Sequence, residues 1–325
     1  MSEPVIWPRP VTPFPRKVDA DWELADSMEA RSFLLGVNSN GEVVNWDTRF
    51  TPNLLVEGKS GSGRSWLMRT AVVEALLHGY QLVVIDPAKG GFDFKPWAEK
   101  RSAAFTGVQD YRSAEAATLW VERELGQRVM FMAKHGYCNI MEASDSERPS
   151  RILVVFDQFD SYVNSLERVT SNPLNDEQLT EFNRRISHRN ESIHRTLRAL
   201  TRIAIQGRTS GINILLGARH MTVQDFDRFQ NGKVLFKSLG RIVLGADSLV
   251  DVISDRNLGE ASRMQNDMII ADMPIGRGVY ETAQCDLTDL QSWWSGDNES
   301  IEQVVASVPP AEKVDLTEFM SMTVD

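Results

Sequence analysis

The sequence predicts an α/β protein in which a mainly parallel central sheet is flanked by helices. Strand-like and helix-like segments alternate along the chain, and strand-like segments such as Leu82–Ile85 and Ile152–Phe156 are apolar throughout. Strands of that composition are buried on both faces, as in a parallel sheet covered by helices. A glycine-rich loop at residues 58–63 lies between such a strand and a helix, and it supports the same class.

An entry hairpin precedes this alternation. Two strand-like segments, Ser32–Val37 and Glu42–Trp46, flank Asn38-Ser-Asn-Gly, where asparagine and glycine adopt the positive φ of a turn at low cost. Before the hairpin, residues 1–20 are proline-rich, and a short helix is expected over Trp22–Ser32. The other predicted strands are Asn53–Glu57, Gln81–Asp86, Arg151–Asp157, Ile212–Ala218, Lys233–Phe236, Arg241–Leu244, Asp267–Ile270 and Gly278–Tyr280. The predicted helices are Trp66–His78, Ala114–His135 and Leu179–Gly207, and from about residue 298 we expect a loose tail with one short helix.

Composition limits the class of protein. Hydrophobic residues make up 42% and charged residues 25%, and the longest apolar runs are too short to cross a bilayer. The proline-rich start lacks the apolar core of a secretory signal, and Cys138 and Cys285 alone make no disulfide framework or cysteine zinc cluster. We therefore expect a cytoplasmic protein without membrane insertion.

The formal charge of −10 is concentrated near the carboxyl terminus. From Cys285 onward the chain has nine acidic residues and only Lys313 as a basic one, so this part carries −8. The remainder is nearly neutral and can still present a basic surface to DNA. We divide the chain into a proline-rich segment (1–32), one domain (33–295) and an acidic tail (296–325).

The glycine-rich loop predicts a phosphate-binding site. Its sequence follows G-x-x-x-x-G-K-[ST], with Arg64 at the lysine position. The glycines let successive N–H groups converge on phosphate oxygens at the start of the next helix. The predicted ATP-binding residues are Gly58, Lys59, Ser60, Gly61, Ser62, Gly63, Arg64, Ser65 and Trp66, and Ser65 is also a predicted ligand of Mg²⁺. Because a guanidinium is bulkier than an ammonium group, we expect binding to survive better than hydrolysis.

A second strand supplies the predicted catalytic carboxylate. Asp157 follows an apolar strand and is expected to hold Mg²⁺ with Ser65. The next residue, a water-orienting glutamate in most such ATPases, is Gln158. An amide can orient a water but cannot take its proton, so slow hydrolysis is expected, and Asp160 is a partial substitute.

Five segments occur in an order that is shared with a known family. They are Thr51–Gly58 (similar to PHLLVAG), Val83–Gly91 (similar to IDPK in its centre), Glu122–Ile140, Gly207–Leu215 and Gly276–Gly278. Together they resemble the FtsK/SpoIIIE motor domain over residues 33–295, including its phage, conjugation and EccC-like relatives. The resemblance implies a RecA-like P-loop NTPase that forms a hexameric ring and pulls double-stranded DNA through its centre without sequence specificity.

The resemblance also assigns roles to two arginines. Arg219 occupies the position of the family's sensor glutamine. Arg208 matches an arginine before the same strand and is the candidate for a finger acting on a neighbouring subunit; an ordinary surface arginine is the alternative, and Arg241 is the runner-up. Without the family's membrane anchor and winged-helix domain, the sequence suggests a stand-alone motor of the kind that phages and mobile elements carry.

A charged helix face is a candidate DNA contact. At helical spacing, Arg184, Arg195, Arg198 and Arg202 share one side of the predicted helix Leu179–Gly207, opposite an apolar side. Such a stripe can follow DNA phosphates, and a solvated face or a subunit contact is the alternative.

Two functions remain open from the sequence. The first is an ATP-dependent translocase or packaging-type motor for double-stranded DNA. The second is a nucleotide-binding pseudo-ATPase that serves as an assembly or regulatory subunit, which the changes at Arg64, Gln158 and Arg219 favour.

Overall fold

The computed structural model of the chain describes residues 15–27, 29, 31–170, 176–245, 249, 252–270 and 273–320. Its strands are β1 (Val18–Asp19), β2 (Ser32–Val37), β3 (Val43–Asp47), β4 (Asn53–Glu57), β5 (Gln81–Ile85), β6 (Ser102–Phe105), β7 (Ile152–Phe156), β8 (Ile212–Ala218), β9 (Leu239–Leu244), β10 (Arg277–Glu281) and β11 (Leu287–Trp294). Its α-helices are α1 (Trp22–Ser27), α2 (Arg64–Leu77), α3 (Lys95–Ala98), α4 (Tyr111–His135), α5 (Phe159–Asn164), α6 (Glu177–Gln206), α7 (Val223–Phe226), α8 (Gly232–Lys237), α9 (Leu258–Ile270), α10 (Asn298–Val304) and α11 (Thr317–Met320).

The described strands form one mixed sheet. Its order is β3-β2-β11-β10-β9-β4-β8-β7-β5-β6, with β1 paired to β11. The strands from β9 to β6 are parallel to one another, whereas β10, β11, β2 and β3 continue the sheet in antiparallel fashion. The predicted α/β class, the mainly parallel sheet and the amino-terminal hairpin β2–β3 are confirmed.

Helices cover both faces of the sheet. In β4, Leu55 packs into one apolar core with α4 and α6, whereas Leu54 and Val56 pack into the other with α2. All three side chains are fully buried, which explains why this strand is apolar without alternation. The predicted starts of the three long helices lie within three residues of the observed ones.

Two predicted strands are wrong. Lys233–Phe236 lies in α8, which follows Asn231 in the left-handed conformation and buries Leu235 beside α6. Asp267–Ile270 lies in α9, where Ala261 and Met268 are buried two helical turns apart. A short apolar run fits either a strand or a helix, and tertiary packing decides between them.

Besides the two-residue β1, two strands were not predicted. Strand β6 contains two alanines, a poor strand signal, and it forms one edge of the sheet beside β5. Strand β11, which contains Trp293 and Trp294, joins the entry hairpin to β10.

The expectation of a loose tail is wrong for the described residues up to 320. Ile301, in α10, is buried in the core beneath α2. The backbone N–H of Val314 then donates to the carbonyl of Ala103 in edge strand β6 (3.0 Å). Phe319 enters the opposite core, under the guanidinium of Arg123 at 4.4 Å from the ring centre. This segment therefore wraps the sheet edge from one face to the other.

Candidate nucleotide-binding site

The parallel part of the sheet places the predicted site residues at the carboxyl ends of its strands. Strand β8 lies between β4 and β7, so the carboxyl ends of these three strands are neighbours. The glycine loop follows β4, Asp157 follows β7 and Arg219 follows β8. This is where open α/β sheets bind their ligands.

A second turn of the chain holds the glycine loop in place. Gly276 donates its backbone N–H to the carbonyl of Ser62 (2.8 Å). Gly63, the residue before α2, has φ of 100°, and a Cβ atom there would lie 2.7 Å from the nitrogen of Gly276. A side chain at residue 63 would therefore meet both a left-handed backbone and a backbone neighbour.

Arg64 is turned back onto its own loop. Its side chain is 8% exposed, Nη1 donates to the carbonyl of Gly58 (2.9 Å), and Nε lies 3.8 Å from Oδ1 of Asp157. The guanidinium thus bridges the start of the loop and the end of β7. A lysine at this position has one terminal ammonium group and cannot make both contacts with the same fork geometry.

Asp157 is buried, with one oxygen that has no protein partner among the described residues. Its Oδ1 accepts the backbone N–H of Gln158 (2.8 Å), whereas Oδ2 has no hydrogen bond there. Burial raises the pKa of Asp157 to about 6, against the opposing effect of the Arg64 charge. An unpaired carboxylate oxygen at this depth suits a cation.

The oxygen donors near Asp157 fit Mg²⁺ accompanied by phosphate. Ser65 donates its hydroxyl to Oδ2 of Asp93 (2.9 Å), a residue of the β5–α3 connection that the sequence did not point to. No cluster of three or more His, Cys, Asp or Glu side chains within the described residues could hold a metal by itself. Mg²⁺ commonly takes one or two protein oxygens and completes its shell with phosphate and water. Ser65 and Asp157 are the residues that would hold it.

Gln158 has an unusual backbone and an unpaired amide. Its φ is 54° and its side chain is buried, and Nε2 has no hydrogen-bond partner among the described residues. A non-glycine residue in the left-handed region costs free energy, and such residues cluster at functional sites. Asp160, two residues on, lies with Oδ2 3.9 Å from Nε of Arg219.

A buried carboxylate holds the two residues that follow Arg219. Oε1 of Glu57, the last residue of β4, accepts the backbone N–H of Met221 (2.6 Å) and lies 2.9 Å from Nδ1 of His220. These contacts tie the segment after β8 to the base of the glycine loop. Glu57 was not among the predicted site residues, although the aligned family pattern has alanine there.

The glycine loop, Gln158 and Arg219 line one pocket of about 450 Å³. Its lining comprises Lys59, Ser60, Gly61, Gly63, Arg64, Ser65, Trp66, Lys89, Gln158, Arg219 and Ile275. The three positions that depart from the family pattern, at residues 64, 158 and 219, therefore meet at a single site. The pocket lining is cationic, as a nucleoside triphosphate requires.

Lys89 and Ile275 in this lining were missed because both lie in connections. Oδ1 and Oδ2 of Asp86 accept the backbone N–H groups of Lys89 and Gly91 (both 2.9 Å) and so shape the turn that carries Lys89. A carboxylate followed by two glycines is a turn signal in the sequence, but the direction of the lysine depends on the folded turn.

The two arginine candidates for a finger lie elsewhere. Arg208 is exposed in the turn between α6 and β8, at the amino-terminal end of β8 and therefore opposite the pocket. The length of β8 separates it from the pocket of its own chain by about 20 Å. Arg241 is buried, and its Nη1 donates to Glu281 at 2.7 Å, so it serves the interior of the fold.

Three of the four arginines on the basic face of α6 have carboxylate partners. Arg184 pairs with Glu181 (2.9 Å), and Arg202 pairs with Glu122 (3.1 Å). Arg195 lies 3.4 Å from Glu115 and also contacts Glu191. Arg198 is exposed, and it makes no ion pair within the part of the chain that the structure describes.

The fold and the site define a RecA-like P-loop nucleotide-binding domain. The profile of the FtsK/SpoIIIE family matches residues 21–223, and the chain belongs to that family. Among curated proteins it is similar to the DNA translocase FtsK of Tropheryma whipplei, with 25% identity over 276 residues, which cover 83% of this chain and 34% of the relative. A DNA translocase FtsK of Chlamydia pneumoniae is 24% identical over 45% of this chain and 19% of its own length. The chain thus spans about a third or less of these relatives.

Solved structures of related ATPases share the fold. The pCW3 conjugation coupling protein TcpA, in a monomer form with ATPγS, has a TM-score of 0.65 and 18% identity, over 90% of this chain and 74% of that one. EssC (ATPases 2 and 3) of Geobacillus thermodenitrificans has a TM-score of 0.62 and 16% identity, over 95% of this chain and 53% of that one. In the described residues, no helix has the length and hydropathy needed to span a bilayer.

Proposed function

We propose that this chain is the ATP-driven motor module of a double-stranded DNA translocase that works as a ring of identical subunits, in the packaging or transfer of phage or plasmid DNA. The observation that carries the proposal is the cationic pocket that the glycine loop, Gln158 and Arg219 line together, with buried Asp157 paired to Arg64 beside it. Membership in the FtsK/SpoIIIE family and the names of the curated relatives support DNA as the moved substrate. The TcpA structure with ATPγS supports an adenine nucleotide.

The pocket residues divide the expected work of phosphate binding and hydrolysis. The N–H groups of Gly58 and Ser62 donate to the carbonyls of Ala218 (3.2 Å) and Lys59 (3.1 Å), so the other N–H groups of the loop and the positive end of α2 would bind the phosphates. Arg64 and Arg219 would supply charge near the terminal phosphate. Mg²⁺, when bound, would neutralise and orient the phosphates. Gln158 would orient the attacking water through its amide. Since an amide cannot take the proton, we expect slower turnover than a carboxylate would support.

A ring would bring Arg208 to a site that it cannot reach within its own chain. It lies at the edge of the sheet opposite the pocket, so it would stabilise phosphate charge only on the nucleotide of a neighbouring subunit. DNA would contact α6 through Arg198 and through Arg184, Arg195 and Arg202 after exchange of their carboxylate partners. Such contacts are sequence-independent and weaken with salt.

The second candidate is a pseudo-ATPase that binds nucleotide and serves as an assembly or regulatory subunit. It is favoured by the contacts of Arg64 with Gly58 and Asp157, because a guanidinium that is bound within the protein is less available to a phosphate. In this case nucleotide would bind without turnover, and DNA would change neither.

One set of measurements separates the two functions. ATP binding, ATP hydrolysis with and without duplex DNA, and particle size with ATP are measured on the wild type and on the double variant Arg64→Lys, Gln158→Glu. A motor is expected to show DNA-stimulated hydrolysis, which the double variant increases, and salt-sensitive DNA binding. Binding of ATP without hydrolysis in either protein, unchanged by DNA, would favour the pseudo-ATPase. The double variant Lys95→Arg, Asp145→Glu, at exposed positions away from the pocket, controls for the number of substitutions.

A further inference from the structure

The pocket at the glycine loop has an apolar rim beside its cationic floor. Trp66, in the first turn of α2, is 37% exposed, and Ile275 is 53% exposed. Both line the pocket together with the loop. These two side chains place apolar surface next to the phosphate-binding loop, and covering it with a planar ligand would be favourable.

The indole of Trp66 is held in place before any ligand arrives. Its ring meets that of Trp294 edge to face, with centroids 6.1 Å apart and an interplanar angle of 70°. Trp294 is in turn covered by the ammonium group of Lys17, 3.5 Å from the ring centroid. The edge-to-face contact engages Trp66 without stacking on it, so it restricts the orientation of the ring and leaves a face for another aromatic group.

Ile275 is held at the other side of the rim. Its carbonyl accepts Nε2 of Gln291 (2.9 Å), and the following residue, Gly276, donates its N–H to Ser62 of the loop (2.8 Å). The backbone of Ile275 is thus fixed relative to the glycine loop. An apolar rim beside a phosphate site suits the planar, apolar end of a nucleotide.

We propose that Trp66 is the stacking platform for the nucleobase of the bound nucleotide, with Ile275 covering the base from the side of the turn. This assignment rests on the proposed nucleotide-binding function and adds the residues that hold the base. Stacking on an aromatic side chain uses the π-face that every base has, and it contributes to affinity independently of the phosphates. The base therefore adds binding energy that the cationic floor does not supply.

The test compares a ligand that has a base with one that has none. Calorimetric titrations with Mg²⁺ and either ATP or inorganic tripolyphosphate are made on the wild type, Trp66→Ala, Trp66→Phe and the control Phe182→Ala, an exposed aromatic on α6 outside the pocket. Loss of one stacked base is expected to weaken ATP about tenfold in Trp66→Ala. Affinity for tripolyphosphate should stay within about twofold, because its phosphates contact only the loop and the cations. Trp66→Phe, which keeps a π-face, should recover most of the ATP affinity.

Each other outcome contradicts the proposal in a distinguishable way. If Trp66→Ala leaves the affinity for ATP unchanged, the indole does not contact the base and packs against another partner, such as a neighbouring subunit. If Trp66→Ala weakens ATP and tripolyphosphate equally, Trp66 supports the loop and does not bind the base. If the wild type binds tripolyphosphate no more weakly than ATP, the base contributes nothing. If the wild type binds neither ligand, the nucleotide function itself is wrong, and the platform with it.

Discussion

Replacement of Asp157 by asparagine should stabilise the nucleotide-free protein while removing its response to Mg²⁺ and ATP. Asp157 is 1% exposed, and burial raises its pKa from the usual 3.8 to about 6. A carboxyl group whose pKa is higher in the folded state favours folding in its protonated form. Its stabilising effect is therefore complete below about pH 3.8 and is lost as the pH rises through 6.

The size of the effect follows from the shift in pKa. The difference between 3.8 and about 6 corresponds to about 3 kcal/mol of unfavourable free energy for the ionised group at pH 8. Asparagine imitates the neutral form and keeps an acceptor for the backbone N–H of Gln158, but its Nδ2 would lack an acceptor, which costs about 1 kcal/mol. We therefore expect Asp157→Asn to raise the free energy of unfolding by about 2 kcal/mol at pH 8. The gain should disappear near pH 4, where the buried carboxyl group is protonated and only the cost of the unpaired Nδ2 remains.

Urea denaturation of both proteins between pH 4 and 8 measures this difference, with Asp145→Asn as the matched control, since the Asp145 side chain is 96% exposed. With Mg²⁺ and ATP at 100 times the dissociation constant, the wild type should gain about 2.7 kcal/mol, whereas the variant should lose the Mg²⁺-dependent part. A stability difference that does not change with pH would refute the burial argument. An unchanged response to Mg²⁺ would refute the role of Asp157 as a ligand.

Three further perturbations test the site and its surroundings. Glu74, in α2, is fully buried, its Oε2 accepts the backbone N–H of Leu34 (2.8 Å), and burial raises its pKa well above the usual value. Urea denaturation should therefore show that Glu74→Gln stabilises the protein above neutral pH and that this gain is lost on acidification. Gly63→Ala places a Cβ atom 2.7 Å from the nitrogen of Gly276 at φ of 100°, which should lower the free energy of unfolding by about 1–3 kcal/mol. In titrations, the affinities for tripolyphosphate and ATP should fall together. Unchanged binding of both ligands would show that the loop tolerates the displacement. Arg208→Ala should leave ATP binding unchanged but, mixed with wild-type subunits, inhibit hydrolysis more than in proportion to its fraction, whereas strict proportionality would contradict a role in the neighbouring subunit's site.

The glycine loop and the residues at strand ends could be predicted from the sequence, whereas site residues in the other connections could not. A loop between a strand and a helix has a narrow choice of position, so the glycine loop and Asp157 were located by pattern alone. Asp93 takes part in the site because the β5–α3 connection folds back to Ser65, and no sequence spacing encodes that approach. The helical state of Lys233–Phe236 depends on burial of Leu235 against α6, a tertiary contact that a short apolar run does not reveal.

Arg64 makes protein contacts that a bound nucleotide would have to displace. In the structure its guanidinium bridges the carbonyl of Gly58 and the carboxylate of Asp157, so the same side chain stabilises the loop and partly offsets the buried charge of Asp157. A terminal phosphate would compete for that guanidinium, and Mg²⁺ would compete for Asp157, so both partners of the pair would be exchanged together on binding. Trp66 takes no part in this exchange, so its ring would remain available to the base. In the proposed nucleotide complex, the departures from the family pattern at residues 64, 158 and 219 would affect the environment of the terminal phosphate and its water, so binding and turnover have to be measured separately.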